Sequence, residues 1–260
     1  MSALLKLGSA VFGGSLTSLS LFKNQSFADA DCRPIALHSV PNYSWNYNWD
    51  GRQNFRKDGQ SKGTRNLLFI RHGQYQKNTL QKSLTQLGGY QAVKLGEFLN
   101  KFKDEFDLEE MDVKVYHSSM KRAVETHDIA MKQCEFPCDY KVIVEPRIVE
   151  GCPMVPDPPY PNYDVPVDMI KEVRNNLNSF FKDIIHRSNT DKNSFEMYFC
   201  HSNVIKFLTL KLLQLPLNAW SRFNIKHCSI TWFRIFSDGR VSCLTFGDAG
   251  FLEYANCTDD

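Results

Sequence analysis

The chain has 260 residues, 42% of them hydrophobic and 23% charged, enough to bury one substantial core, which excludes a wholly disordered protein. Thirty-one basic against 29 acidic residues leave a net charge of +2, too small for an overall basic field, so no nucleic-acid partner is expected. Eight cysteines include no CxxC pair, which removes a zinc ribbon and a thioredoxin-type redox pair, and a chain this long needs no disulfide staples.

In chain order, Leu7 to Phe22 carries no charge and no acidic residue precedes Asp29. As a helix these residues span roughly 24 Å, short of a ~30 Å hydrocarbon core, although Lys6 and Lys23 extend the reach by snorkelling. Ala10, Gly14 and Ser18 recur every four residues, a stripe that lets two helices approach closely. Residues 1–23 are therefore expected to form a single-pass membrane anchor, with a cleaved secretory signal or a mitochondrial targeting segment as alternatives. Residues 24–64 lack periodicity and carry Pro34, Pro41, Gly51, Gly59 and Gly63, the pattern of a linker. Inside it Trp45-Asn46-Tyr47-Asn48-Trp49-Asp50 concentrates aromatics in a polar stretch, for contact with a partner or for folding back on its own domain.

From Arg65 onward short apolar runs alternate with helical patterns. Strands are expected at Leu67–Ile70, Asp112–Tyr116, Tyr140–Val144 and Phe195–Cys200. Helices are expected from Thr85 through Leu99, from an N-cap at Ser119 to Lys132, from Val167 to Ile185 and from Asn203 to Leu213. Six prolines between residues 152 and 166 forbid regular structure there. A hairpin around Asp238-Gly239 closes the chain, joining Ser229–Phe236 to Val241–Phe246. The expected fold is α/β, a mostly parallel central sheet with helices on both faces. Its domain spans residues 65–251, with 252–260 as a C-terminal tail.

In such sheets ligands bind beyond the carboxyl ends of the strands. The first strand runs into Arg71-His72-Gly73-Gln74 and the fourth into His201-Ser202-Asn203. The second ends at His117-Ser118-Ser119, with Arg122 on the next helix, and Arg147 and Glu150 follow the third. Two histidines, two arginines and a carboxylate at one sheet edge suit phosphoryl transfer without metal. A neutral imidazole attacks phosphorus, guanidinium forks neutralise the phosphoryl oxygens, a protonated second histidine adds a charged donor, and a protonated carboxyl serves the leaving group.

Leu68-Phe69-Ile70-Arg71-His72-Gly73 resembles the Arg-His-Gly signature of the histidine phosphatase, or phosphoglycerate-mutase-like, superfamily. Ser118-Ser119-Met120-Lys121-Arg122-Ala123-Val124-Glu125-Thr126 resembles its second-arginine segment, Glu150-Gly151 its acidic loop, and Cys200-His201-Ser202-Asn203-Val204-Ile205 the segment of its second histidine. Within the superfamily, Gln74-Tyr75, Gly247-Asp248-Ala249-Gly250-Phe251 and the N-terminal apolar segment look like the mitochondrial serine/threonine phosphatases. Trp45–Asp50 is similar to their Trp-Asp-x-Asn-Trp-Asp oligomerisation motif, with Asn46 in place of aspartate. The resemblance implies a membrane-anchored mitochondrial phosphatase of phosphoserine and phosphothreonine in proteins, with no metal or other cofactor. It makes His72 the nucleophile, puts Arg71, Arg122 and His201 with it around the phosphate, leaves Glu150 as proton donor, and assigns Trp45, Trp49 and Asp50 to a homo-oligomer.

Three other readings compete. A mutase shares the phosphohistidine but returns the group to a sugar acid, a phosphatase of small metabolites shares all of the chemistry, and an idle membrane-bound scaffold needs none of it. His227-Cys228-x5-Arg234 also satisfies the His-Cys-x5-Arg pattern of cysteine-dependent phosphatases. Its five intervening residues, Ser-Ile-Thr-Trp-Phe, lack glycine and favour a strand over a phosphate-cradling loop.

Overall fold

The computed structural model describes residues 44–52, 62–136, 140–160 and 163–259. The expected anchor at 1–23 lies outside them, as does much of the expected linker. No helix among the described residues is long and apolar enough to cross a membrane.

Six strands form one mixed sheet: β1 (Arg65–Arg71), β2 (Asp112–His117), β3 (Lys141–Val144), β4 (Ser194–Cys200), β5 (Ile230–Ile235) and β6 (Val241–Asp248). Their spatial order is β3-β2-β4-β1-β5-β6. The first four in that order are parallel; β5 runs antiparallel beside β1, and β6 antiparallel beside β5 as the closing hairpin. Four helices intervene: α1 (Gln86–Phe102), α2 (Lys121–Met131), α3 (Val167–Ile184) and α4 (Ser202–Leu212).

The strand period of two sends alternate side chains of β1 into opposite layers. Leu67 and Phe69 join Phe180 and Phe181 of α3 and Phe207 and Leu208 of α4. Leu68 and Ile70 join Leu95 and Leu99 of α1 and Ala130 of α2. A strand buried on both faces reads in sequence as an unbroken apolar run, as Leu67–Ile70 does.

Thr85 caps α1 as expected, its hydroxyl accepting from the Gly88 amide at 3.0 Å, a bond of about 1 kcal/mol. Ser119 does not cap α2. Met120 holds the N-cap position without a side-chain bond, because Ser118 is the serine whose hydroxyl accepts from the Met120 amide. The described part of the proline-rich stretch carries no helix or strand.

The compact unit begins at Trp45. Trp45 and Trp49 both donate indole N–H bonds to the Gly239 carbonyl, at 3.1 and 2.8 Å. The Trp49 ring lies 5.7 Å from that of Phe181, and Asp50 accepts from the Arg187 amide and Nε at 2.9 and 3.0 Å. The aromatic segment thus folds onto the hairpin turn of its own domain. Gly239, at φ +91°, makes this possible: a Cβ there would meet the Tyr47 carbonyl at 2.3 Å.

Gly88 serves the site directly, since a Cβ on it would stand 1.9 Å from the Gln74 carbonyl, a backbone atom. Gly88→Ala is expected to cost about 3 kcal/mol, because α1 must retreat from the turn that carries His72. Thermal denaturation checks this.

Candidate active site

In the parallel pair of β1 and β4, Arg71 stands opposite Cys200. One residue further on, both chains present a histidine, and the His72 amide donates to the Cys200 carbonyl at 3.0 Å. The two imidazole rings lie 5.1 Å apart, and both are buried. β2 adds a third edge, where the Ser118 amide bonds the Phe199 carbonyl and the Ser118 hydroxyl lies 2.8 Å from His201 Nε2.

The hydrogen bonds fix the tautomer of His72. Its Nδ1 lies 2.8 Å from the Gly73 carbonyl, an acceptor only, so Nδ1 carries the proton. Nε2 then holds the lone pair, and Arg122 Nε donates to it at 3.0 Å. Thr126, one turn along α2, ties the helix to this loop, donating to the Arg122 carbonyl and accepting from the Gly73 amide. The Arg122 guanidinium also lies 4.6 Å over the ring of Tyr75, and that ring meets His72 edge-on at 5.1 Å.

Arg71 is buried in the same site. Its Nη1 donates to the carbonyls of Ile225 and Asp259, and its Nη2 lies 3.1 Å from His227 Nε2. Gln91 of α1 reaches from the Gln74 amide to Asn256 and Thr258. Residues 252–259 of the expected tail thus reach the site through Thr258 and Asp259.

Glu150 follows the short 3-10 turn Pro146–Ile148. Its amide bonds Met120 Sδ at 3.3 Å, and Asn203 of α4 holds the next carbonyl, Gly151, at 3.2 Å. Glu150 Oε2 lies 3.9 Å from His201 Nδ1. Neither Glu150 Oε1 nor His201 Nδ1 has a hydrogen-bond partner, although both are shielded from water. All five expected residues, Arg71, His72, Arg122, Glu150 and His201, therefore converge. Arg147 does not: it pairs with Glu145 and Asp183 at 2.8 and 2.7 Å.

Burial dominates the electrostatics. It pushes the Glu150 carboxyl up to about 7, against the opposing pull of Arg122 and Arg71. Burial likewise holds His72 well below the ordinary histidine range, helped by His201 and Arg122, and holds His201 down with Arg122 and Arg71. Both imidazoles are neutral at pH 7, so in the unliganded site His201 is not the charged donor expected from sequence. His72, Glu150 and His201 each offer a ligand atom within 4.8 Å of the others, a donor set a divalent ion accepts, but two guanidinium charges act on the same groups.

The cysteine pattern dissolves in three dimensions. Cys228 is fully buried, and burial pushes its thiol up, the reverse of an activated nucleophile. Arg234 lies along β5, donating to Asn66 over the Trp232 ring. From Ile230 to Arg234 the strand alone runs about 13 Å.

The fold and this site define a histidine phosphatase. The chain belongs to the histidine phosphatase superfamily (branch 1), whose profile matches residues 67–152 and 156–248, and it is a phosphatase. "Serine/threonine-protein phosphatase PGAM5, mitochondrial" of Rattus norvegicus is 31% identical over 274 residues, covering 92% of each chain. The Homo sapiens protein of that name is 33% identical over 80% of this chain and 78% of its own length. The Caenorhabditis elegans protein is 29% identical over 96% and 93%. Among solved structures, the product of an open reading frame of Mycobacterium tuberculosis shares the fold, with a TM-score of 0.52 at 19% identity over 70% of this chain and 97% of its own.

Proposed function

We propose that this chain removes phosphate from phosphoserine and phosphothreonine in proteins, without metal, through a phosphohistidine on His72. The observation that carries the mechanism is the single tautomer of His72: Nδ1–H spent on Gly73, and the Nε2 lone pair turned toward Arg122. In the first half-reaction Nε2 bonds phosphorus, the bond from phosphorus to the seryl or threonyl oxygen breaks, and Glu150 gives its proton to the departing oxygen. Water then attacks phosphorus, its proton passes to the Glu150 carboxylate, and the N–P bond breaks. Arg71 and Arg122 balance the phosphoryl charge in both halves. His201 serves the phosphoryl oxygens through Nδ1 when Ser118 donates to Nε2. The dianion of a bound phosphate favours protonating it further.

The protein substrates and the mitochondrial setting are supported by the names of the relatives. The uncharged segment Leu7–Phe22 supports an anchor in a mitochondrial membrane. The test is phosphate release from a phosphothreonine peptide with a metal chelator present. Release is expected to continue, and no 2-phosphoglycerate is expected from 3-phosphoglycerate. Loss of release in chelator, or formation of 2-phosphoglycerate, contradicts the reading.

Homo-oligomerisation through Trp45, Trp49 and Asp50 belongs to the same proposal. It is supported by the likeness of residues 45–50 to the motif of the mitochondrial members and by the exposed ring of Tyr47. The segment's fold-back rests on both indoles, so Trp49→Ala in a chain lacking residues 1–30 is expected to release it and lower the sedimentation coefficient. An unchanged coefficient removes the claim.

A further inference from the structure

His227 entered the sequence reading only as half of a failed cysteine motif, yet it is buried against the phosphate pocket. It is 1% exposed, and its ring lies 5.5 Å from that of His72. It sits on the turn before β5, which hydrogen bonds pin to the end of β1. The Arg71 amide donates to the Ser229 carbonyl, and the Cys228 amide to the carbonyl of His72.

Its two nitrogens face different partners. Nε2 lies 3.1 Å from Arg71 Nη2, and a guanidinium has only donors, so Nε2 carries the lone pair. Nδ1 lies 3.1 Å from the Thr258 carbonyl and 2.9 Å from its hydroxyl oxygen. The carbonyl oxygen can only accept, so Nδ1 is the protonated nitrogen. The tautomer is single and the imidazole is neutral. Each N–H of the Arg71 guanidinium lies in its plane, and three acceptors, the Ile225 and Asp259 carbonyls and His227 Nε2, take hydrogens from both Nη atoms. Of these three, all among the described residues, His227 alone offers a side-chain atom.

We infer that His227 is a positioning residue for phosphate binding, a neutral acceptor that fixes the plane in which Arg71 meets the phosphoryl oxygens. In this role it acts through Arg71 and not on phosphorus. The inference rests on Arg71 being a phosphate ligand. Since Arg71 holds the phosphate before and during transfer, a misaligned guanidinium weakens ground state and transition state alike, and KM moves more than kcat.

The measurement is KM, kcat and inhibition by inorganic phosphate for the whole chain on a phosphothreonine peptide. In His227→Leu, KM and the inhibition constant of phosphate are expected to rise about tenfold while kcat changes less than about threefold. His227→Gln, whose amide oxygen stands near the position of Nε2, is expected to return both constants to within about threefold of wild type. Should the leucine variant not fold, His227→Asn keeps a donor near Thr258, withdraws the acceptor from Arg71, and is expected to behave as leucine does. Phosphate inhibition unchanged in His227→Leu, or a glutamine variant no better than leucine, overturns the inference, because a merely structural role lowers stability and the active fraction and leaves KM in place. Failure of the wild type to hydrolyse the peptide or to be inhibited by phosphate strikes the phosphatase reading instead.

Discussion

His72→Asn is expected to lower kcat on a phosphothreonine peptide by about 10⁴-fold or more, a barrier increase of roughly 5.5 kcal/mol. In the proposed mechanism the substitution removes the atom that forms the covalent intermediate. An amide nitrogen at that position has no lone pair able to displace an alkoxide, and the arginines of the pocket cannot replace a nucleophile. Binding is expected to survive, because Arg71 is held by Ile225, Asp259 and His227 and not by the nucleophile. Inorganic phosphate should therefore still bind the variant, by calorimetry, within about tenfold of wild type. Loss of turnover with binding retained separates the missing nucleophile from a collapsed pocket. A variant retaining a tenth of the wild-type rate contradicts the mechanism.

Glu150→Gln is the second large effect, and its size depends on the substrate. The carboxyl is raised to about 7 by burial, so at pH 6 most of it holds the proton that a seryl or threonyl oxygen needs on leaving. Glutamine has no proton to give, and a loss of about 10²- to 10⁴-fold is expected on the phosphopeptide. A nitrophenyl phosphate, whose leaving group needs no proton, is expected to lose far less in its first half-reaction. The pH dependence follows with a definite sign. For the wild type, kcat on the phosphopeptide should fall as pH rises through about 7 and Glu150 ionises, and the variant should lose this limb. The same shift bears on stability. A carboxyl whose folded value lies above its ordinary 4.5 stabilises the fold fully below 4.5 and loses that contribution as pH rises toward 7. Glu150→Gln should therefore be more heat-stable than the wild type at pH 8, the usual exchange of stability for activity at a buried catalytic acid. Equal kinetic losses on the two substrates contradict the role of Glu150.

Much of this site is legible before any coordinates. Arg71-His72 and His201 follow short, largely apolar runs that suit buried strands, and buried parallel strands deliver whatever follows them to one edge. The register that sets Arg71 opposite Cys200 turns that expectation into two neighbouring imidazoles. What sequence leaves dark is pairing over long separations. Nothing in Thr258-Asp259 announces that a backbone carbonyl 188 residues away will receive an Arg71 hydrogen. His227 is visible as a residue, but sequence weighs it only within the His-Cys-x5-Arg pattern and passes it over when that pattern is discounted.

Arg147 fails in the other direction. By position it follows a strand end, like the site residues, but Glu145 two residues earlier and Asp183 on α3 claim it. Ser118 loses its place to Ser119 in the sequence reading because both are N-cap residues by type, and only the approach of His201 distinguishes them. Glu196 is the least readable of all. It sits in the apolar run Phe195–Phe199 yet is 1% exposed, bonded by Nε and Nη2 of Arg65 and by Ser194 and Tyr198. A buried charge is tolerated there because every oxygen is satisfied.

The most direct test of the account is to trap the intermediate. The full chain is mixed with a ³²P-labelled phosphothreonine peptide in chelator, quenched in base within milliseconds, and digested for mass spectrometry. The account predicts a phosphoryl group on His72, stable in base and released by acid, and absent from His72→Asn. Label on Cys228, or turnover with no label on any residue, would contradict it.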